Sequence, residues 1–197
     1  MVCDEGTTGN KTRCMAVCRV YLKAPERRDL QYIKYLWADE PTMVDVGGTH
    51  TLDEQQWTRW FAKWILPGEP DRRYFLIRLI EGDTPIGEIC FFNFDPRTRM
   101  ANLSMNIEAS YRGNGYSQEA LLLLSRFFFT ESEGITLVDD IALENKAAQR
   151  ALLKFGFEHD PTLGSTLTPM GGDDVFWVRL DKHKFERIYG SGVVTSG

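Results

Sequence analysis

The chain has 197 residues, of which 43% are hydrophobic and 26% charged, and its formal net charge is −5. This composition is typical of one globular domain with a substantial core. The negative charge argues against a nucleic-acid-binding protein, which would show a basic face, and no run reaches the roughly 18 apolar residues of a membrane span. The polar N-terminus lacks the apolar segment of a secretory signal, so we expect a cytoplasmic protein with no nucleic-acid or membrane partner.

The cysteines and histidines do not form a metal-binding pattern. Cys3, Cys14 and Cys18 lie near the N-terminus, Cys90 lies in an apolar run, and only three histidines are present. A structural zinc site needs four ligands, usually at tight paired spacing. We therefore predict no metal and reduced thiols, with Cys90 as a small core residue.

The first half of the chain predicts a strand and two helices after a flexible leader at residues 1–14. The segment "CRVYLKAP" alternates like a strand, and "ERRDLQYIKYLWADE" has apolar residues at helical spacing. The segment "LDEQQWTRWFAKWIL" has a mainly aromatic stripe, formed by Trp57, Trp60, Phe61, Trp64 and Ile65. Such a stripe could stack on nucleic-acid bases, but it more commonly packs in a core or forms the wall of a pocket. The net negative charge of the chain favours this second interpretation.

The middle of the chain predicts an antiparallel meander of three strands. They are "RRYFLIRLIE", "TPIGEICFFNF" and "RTRMANLSMNIE", separated by the turn-prone "GDTP" and "DPRT". In the third strand, one face is polar and the other apolar; the polar residues are Asn102, Ser104, Asn106 and Glu108.

The second half predicts helix, strand, helix and strand. They correspond to "SQEALLLLSRFFF", "TLVDDIAL", "ENKAAQRALLKFG" and "DDVFWVRL", with Gly156 as the end of the second helix. The element order predicts a single mixed α/β domain over residues 15–182, followed by a loose tail at residues 183–197.

Two glycines, Gly113 and Gly115, lie between the third meander strand and the next helix, in "RGNGYS". A helix N-terminus offers free N–H groups and a positive dipole end to phosphate, and glycine lets a ligand approach the backbone closely. The turn lacks the Gly-Lys-Ser/Thr of a P-loop and the third glycine of a dinucleotide fingerprint. Taken alone, it equally fits a tight strand-to-helix connection.

The later helix begins at Asn145 and ends at Gly156-Phe157, and with the glycine turn it resembles the GNAT superfamily of acyl-coenzyme A-dependent N-acyltransferases. The family's Arg/Gln-x-x-Gly-x-Gly/Ala motif is matched by Arg112, Gly115 and Ser117, with serine as the last small residue. The form "RGNGYSQEAL" is most similar to the branch of ribosomal-protein N-terminal (alanine/serine) acetyltransferases. The resemblance is sharp over roughly residues 85–160 and loose before them.

The resemblance implies a GNAT fold, with a central mixed, mostly antiparallel sheet flanked by about four helices and splayed at strands 4 and 5. It implies acetyl-coenzyme A as co-substrate and an amine as acceptor. The implied cofactor-binding residues are Ile107 and Ala109 at the pantetheine arm, Arg112, Gly113, Asn114, Gly115, Tyr116 and Ser117 at the pyrophosphate, Asn145 near the thioester, and Arg150 and Lys154 at the adenosine phosphates.

Two departures from the family pattern concern catalysis. The family's strand-4 carboxylate falls at Asn102, which is not a base, so Glu88 and Glu108 are the candidate bases for deprotonating the amine. A tyrosine that often serves as general acid is replaced by Leu152, and Tyr111 and Tyr116 are candidate substitutes.

The expected activity is transfer of an acetyl group to a primary amine, which attacks the thioester directly. The acceptor could be a protein N-terminus or a small amine such as a polyamine or aminoglycoside. A catalytically weak acyl-coenzyme A sensor or assembly module is the alternative. The sequence leaves the acyl chain length and the oligomeric state open, with a homodimer among the options.

Overall fold

The computed structural model describes residues 18–66, 68–166 and 175–190, so the predicted leader at residues 1–14 lies outside the described part. The strands are β1 Val20–Lys23, β2 Arg73–Leu79, β3 Pro85–Asp95, β4 Met100–Ile107, β5 Thr136–Ala142, β6 Glu158–His159 and β7 Val175–Asp181. The helices are α1 Leu30–Ala38, α2 Glu40–Met43, α3 Glu54–Trp64, α4 Tyr116–Thr130, α5 Lys146–Phe155, α6 Leu163–Thr166 and α7 Lys182–Tyr189. None of these helices is both long and apolar enough to span a bilayer.

All seven strands form one sheet in the order β1-β2-β3-β4-β5-β7-β6. Every pairing is antiparallel except that of β4 with β5, which is parallel. β4 pairs with β5 only through Met100–Asn102, opposite Thr136–Val138. Beyond this point the two strands diverge, so the predicted meander, the mixed sheet and the splay are confirmed.

Helices cover both faces of the sheet. On one face, α4 and α5 contribute buried residues such as Leu121, Phe128 and Phe155 to the main core. On the other face, α1 and α3 contribute Ile33 and Trp57 to a second cluster. The aromatic stripe of α3 therefore packs against the sheet, as its helical spacing predicts.

The predicted tail at residues 183–197 is wrong in its first part, because α7 covers residues 182–189. Phe185 is buried in the main core, and the Tyr189 hydroxyl donates to the Phe155 carbonyl at 2.6 Å. Gly156 ends α5 as predicted, with φ of 132°, and a Cβ there would lie 2.7 Å from Ile188 Cδ1. The same glycine thus provides the space in which α7 packs.

Candidate active site

A cavity of about 240 Å³ lies at the splay between β4 and β5. Its walls are the end of β4, the glycine turn, the start of α5 and a 3₁₀ turn after α2. The lining residues are Asp45, Val46, Met105, Asn106, Ile107, Tyr111, Arg112, Gly113, Gly115, Tyr116, Ser117, Asn145, Ala147, Ala148 and Ala151. The structure therefore brings most residues of the predicted cofactor loop together with Asn145, which is 28 positions after Ser117.

The glycine turn presents unpaired backbone donors to this cavity. Gly113 and Gly115 have φ of 79° and 84°, in the left-handed region that L side chains rarely adopt, and Gly115 caps α4. In the described part of the chain, none of the N–H groups of residues 113–117 donates to a protein acceptor. The conformation thus favours glycine, and it leaves five consecutive N–H groups for a ligand.

A second set of contacts braces this turn from β1. Arg19 donates to the carboxylate of Glu119 at 2.5 and 2.8 Å and to the carbonyl of Asn114 at 2.7 Å. Its guanidinium also lies 4.6 Å from the ring centroid of Tyr116. Since Glu119 is buried near the N-terminus of α4, Arg19 supplies the charge that offsets this carboxylate where an anion would bind.

The Arg112 side chain makes its contacts away from the unpaired amides. Nε donates to the Ile107 carbonyl at 2.9 Å, Nη2 to the Thr42 carbonyl at 2.5 Å, and Nη1 to the Pro41 carbonyl at 3.4 Å. The Ala109 N–H donates to the Thr42 hydroxyl at 2.9 Å. The backbone carbonyl of Ile107 and the N–H of Ala109 therefore already have protein partners.

The backbone further into β4 has groups that face the splay. Glu108 N–H donates to the Ile86 carbonyl on β3, and in an antiparallel pair the backbone groups alternate between the two sides of the strand. Residues 103, 105 and 107 therefore direct their N–H and C=O groups away from β3. Because β5 leaves β4 after Asn102, the strand edge at Met105, which lines the cavity, is open to the splay.

On α5, Asn145 is the N-cap, because its Oδ1 accepts from the Ala148 N–H at 3.0 Å. Its Nδ2 donates to the Asp45 carbonyl at 3.1 Å. The helix faces the cavity with three alanines, at positions 147, 148 and 151. Arg150 and Lys154 are exposed and do not line the cavity.

Glu88 is buried behind the cavity wall. It accepts hydrogen bonds from the Tyr74 hydroxyl, from Trp37 Nε1 at 3.0 Å and from Asn106 Nδ2 at 2.8 Å. Burial raises the pKa of Glu88 above its usual value, and these three hydrogen bonds counteract only part of that rise. Asn106 lines the cavity, so one side chain, that of Asn106, separates Glu88 from the cavity.

Glu108 follows β4 directly and is only half-buried. It accepts from the Ser110 hydroxyl at 2.8 Å and from the Tyr32 hydroxyl at 3.4 Å. Burial, with Glu108 and Glu88 nearby, raises the pKa of Tyr32. The α1 helix, through Tyr32 and Trp37, thus contacts both candidate bases.

Two further residues bear on the chemistry. Leu152, at the position of the family's tyrosine, is buried in the core. Burial, together with the neighbouring Asp140, raises the pKa of Asp139 on β5 to about 8. Leu152 has no proton to donate and therefore cannot act as a general acid. The Asp139 carboxyl, with a pKa of about 8, titrates close to neutral pH.

The segment after α1 contributes to the site in a way that the sequence did not predict. Thr42 is fully buried at the end of β4, and Asp45 lines the cavity. A signal for α2 was present, because Asp39 is its N-cap and Pro41 lies in its first turn. Nothing in the sequence indicated that this short helix would reach the glycine turn.

Residues 19–158 match the family model described as an acetyltransferase (GNAT) domain. No curated protein matches the chain. A spermidine N-acetyltransferase from Vibrio cholerae, solved in complex with CoA and spermine, has a TM-score of 0.72 at 18% identity, over 85% of this chain and 98% of that one.

Two other solved structures are also similar. An acetyltransferase of the GNAT family from Bacillus anthracis has a TM-score of 0.66 at 18% identity, over 84% of this chain and 96% of that one. An acetyltransferase from Agrobacterium tumefaciens has a TM-score of 0.67 at 20% identity, over 91% of this chain and 100% of that one. At these identities the likeness establishes a shared fold.

Proposed function

The chain belongs to the GNAT acetyltransferase family, and on this premise we propose that it transfers an acetyl group from acetyl-coenzyme A to a primary amine. The observation that carries the proposal is the row of unpaired N–H groups at residues 113–117, four of which line a cavity between splayed strands. A diphosphate needs such a concentration of donors, and an acidic protein must provide it locally.

In this proposal the amides of Gly113, Asn114, Gly115, Tyr116 and Ser117 bind the pyrophosphate. The pantetheine arm passes Ile107 and Ala109 and pairs with β4 as a short added strand would. Because the Ile107 carbonyl and the Ala109 N–H already have partners, the free groups for this pairing are those of Met105. Asn145 then lies beside the arm, opposite β4.

The exposed cations of α5 would act outside the cavity. Arg150 and Lys154 are exposed, lie one turn apart on the helix, and do not line the cavity. We assign them to the adenosine phosphates, where an exposed cation contributes a modest, salt-sensitive attraction.

Catalysis consists of direct attack by the neutral amine on the thioester carbonyl, with both reactants held in position. An alkylamine has a pKa near ~10.4, so it must lose a proton before it attacks. Of the two candidate bases, Glu108 is the one that solvent reaches, and we propose that it accepts this proton through water. Glu88 accepts a hydrogen bond from Asn106 and so positions this cavity-lining side chain.

The leaving thiolate has no tyrosine at position 152 to protonate it. Since a thiol has a pKa near ~8.5, a thiolate is a tolerable leaving group without a general acid. Tyr111 and Tyr116 line the cavity and are the candidate proton donors. Their hydroxyls would act on the coenzyme A sulfur after the carbon–sulfur bond breaks.

The acceptor that this site fits best is a cationic amine. Glu88 and Glu108 both accept hydrogen bonds from α1 side chains, and Glu108 is half-exposed. A polyamine is the leading class, and the name of the Vibrio cholerae structure accords with it. A protein N-terminus, as in the ribosomal-protein branch, and an aminoglycoside are the other acceptors.

A second candidate function is a cofactor-binding module with little turnover. It is favoured by the buried Leu152 in place of a general acid and by the full set of protein donors around Glu88. Such a module would sense acyl-coenzyme A or assemble with a partner.

The test combines binding and turnover. We expect acetyl-coenzyme A and coenzyme A to raise the melting temperature, and we expect thiol release from acetyl-coenzyme A with spermidine, with a peptide that begins with Ala, or with kanamycin. Binding without thiol release across these amines would favour the second function. Neither binding nor release would contradict both.

A further inference from the structure

The residues between α1 and the glycine pair Gly47-Gly48 form a cover that touches both walls of the cavity. We call residues 40–46 the roof segment; it comprises α2 and the 3₁₀ turn at Val44–Val46. Asp45 and Val46 line the cavity from this side. The proposed cofactor site is thus closed by a segment that is distant in sequence from both of its walls.

On the β4 side, the roof segment is attached mainly by one side chain. All three guanidinium nitrogens of Arg112 donate to oxygens, two of them to roof carbonyls and one to the Ile107 carbonyl. The Asp45 carboxylate lies 3.5 Å from Arg112 Nη1 and adds an ion pair. The Thr42 hydroxyl accepts from the Ala109 N–H on the same side.

On the α5 side, the attachment is the hydrogen bond from Asn145 Nδ2 to the Asp45 carbonyl. The roof segment therefore bridges the splay, with one anchor on each diverging wall. Both anchoring side chains belong to the motif residues that sequence reasoning assigned to the cofactor.

The roof segment also continues directly from α1, the helix that contacts both candidate bases and that we call the acceptor wall. α1 ends at Ala38, two residues before α2 begins. Trp37 of α1 donates to Glu88, and Tyr32 donates to Glu108. Whatever fixes the roof segment therefore also fixes the helix that contacts both candidate bases.

We propose that the Arg112 side chain is a positioning residue for the roof segment and not a ligand of the diphosphate. Its backbone starts the loop that binds the cofactor, while its guanidinium holds the segment that leads into the acceptor wall. The two halves of the site are thereby coupled through one residue. This inference rests on the proposed function for its catalytic meaning, but the attachment itself can be tested without any cofactor.

The chemistry of the contact separates this role from phosphate binding. A lysine keeps the charge that would attract a phosphate, but as a point charge it cannot donate from a planar fork to several carbonyls. A glutamine removes the charge. If Arg112 binds phosphate, lysine at this position should preserve coenzyme A binding. If the guanidinium of Arg112 holds three carbonyls, lysine should not preserve these contacts.

The experiment measures amide hydrogen exchange and coenzyme A binding in Arg112→Lys and Arg112→Gln, with Arg187→Lys on the exposed face of α7 as matched control. In the unliganded protein we expect exchange at residues 43–48 and at Ala109 to rise about 10-fold or more in both Arg112 variants, because these hydrogen bonds open more often. We expect the Kd for coenzyme A to stay within about 3-fold of the unmodified protein in both.

Thr42→Val provides a second route should the Arg112 variants fail to fold. Valine has nearly the shape of threonine, and it removes the acceptor of the Ala109 N–H at a distance from the glycine turn. We expect faster exchange at Ala109 and unchanged coenzyme A binding. Unchanged exchange at residues 43–48 in Arg112→Lys, or at Ala109 in Thr42→Val in its place, would overturn the proposal.

The binding data provide the other decisive outcome. Coenzyme A binding that glutamine weakens more than 10-fold and lysine preserves would identify Arg112 as a phosphate ligand and overturn the proposal. A failure of the unmodified protein to bind coenzyme A would contradict the proposed function instead, and the exchange result would still decide the role of Arg112.

Discussion

The cofactor side and the acceptor side of the cavity are built in different ways. The cofactor side depends on main-chain geometry within six consecutive residues, since positive φ at Gly113 and Gly115 orients the N–H groups. The acceptor side depends on side chains distant in sequence: Glu88 is held by Trp37, Tyr74 and Asn106. A site formed by local backbone conformation can be predicted from a sequence, whereas a site formed by side-chain contacts between distant residues cannot.

The largest expected effect is on the acceptor side, at Glu108. Glu108→Gln removes the proposed base and keeps the side chain's shape, so we expect kcat to fall about 100-fold, within the usual range for general-base catalysis. The KM for acetyl-coenzyme A should not change. Thiol-release kinetics with spermidine, or with the Ala-starting peptide if that is the amine acetylated, measure this effect.

The control for this variant is Glu81→Gln, at an exposed turn position. Both variants remove one negative charge, so a general electrostatic effect would appear in both. A loss in kcat below about 3-fold in Glu108→Gln would remove Glu108 from the mechanism and leave Glu88 as the remaining candidate.

The next effect concerns the cofactor side. Valine at position 115 must adopt a left-handed conformation, at roughly 1–2 kcal/mol for an ordinary residue and more for a β-branched one. We expect Gly115→Val to weaken coenzyme A binding about 10- to 100-fold, and Gly115→Asn to stay within about 3-fold, because asparagine tolerates this conformation. Calorimetric titration with coenzyme A measures both affinities. Equal affinities for the two variants would show that cofactor binding does not depend on the backbone conformation at position 115.

The third prediction separates the two candidate bases by stability. Glu88→Gln places an amide NH₂ among three hydrogen-bond donors, so we expect the free energy of unfolding to fall by about 2 kcal/mol. The half-exposed Glu108→Gln should change it by less than about 1 kcal/mol. Urea denaturation of both variants measures their free energies of unfolding. Similar decreases in the two variants would mean that the two carboxylates contribute equally to stability.

The last expected effect is a pH dependence of stability from Asp139. Because burial raises its folded-state pKa to about 8, against about 3.9 in an unfolded chain, the stability it contributes is complete at low pH. That contribution is lost as pH rises through 8. Asp139→Asn should therefore become progressively more stable than the unmodified protein between pH 4 and 8, measured as the difference in melting temperature. Parallel curves over this range would contradict the raised pKa.

Much of the fold could be predicted because its signals are periodic or local. The alternation in β4, the helical spacing in α3 and the stop at Gly156 each predicted an element that the structure confirms. α7 carried a comparable signal, with Phe185, Ile188 and Tyr189 at helical spacing and Gly190 after it. It was missed because its polar residues and the glycine-rich residues that follow suggested a tail.

The candidate site could be predicted in part. The glycine turn was found by its glycines before a helix and Asn145 by the resemblance to the GNAT superfamily, and both line the cavity. The partners of Glu88 and Arg112 could not be found, because Trp37 lies 51 positions from Glu88 and Thr42 lies 70 positions from Arg112. Only the three-dimensional packing of α1 and α2 on the sheet brings these residues together.

The central claim is that the amides of residues 113–117 bind the diphosphate of coenzyme A. A crystal structure of the complex tests it most directly. The account predicts diphosphate oxygens within about 3.2 Å of several of these nitrogens, with the pantetheine arm along β4 in the splay. A diphosphate bound elsewhere, with these N–H groups still free of it, would contradict the account.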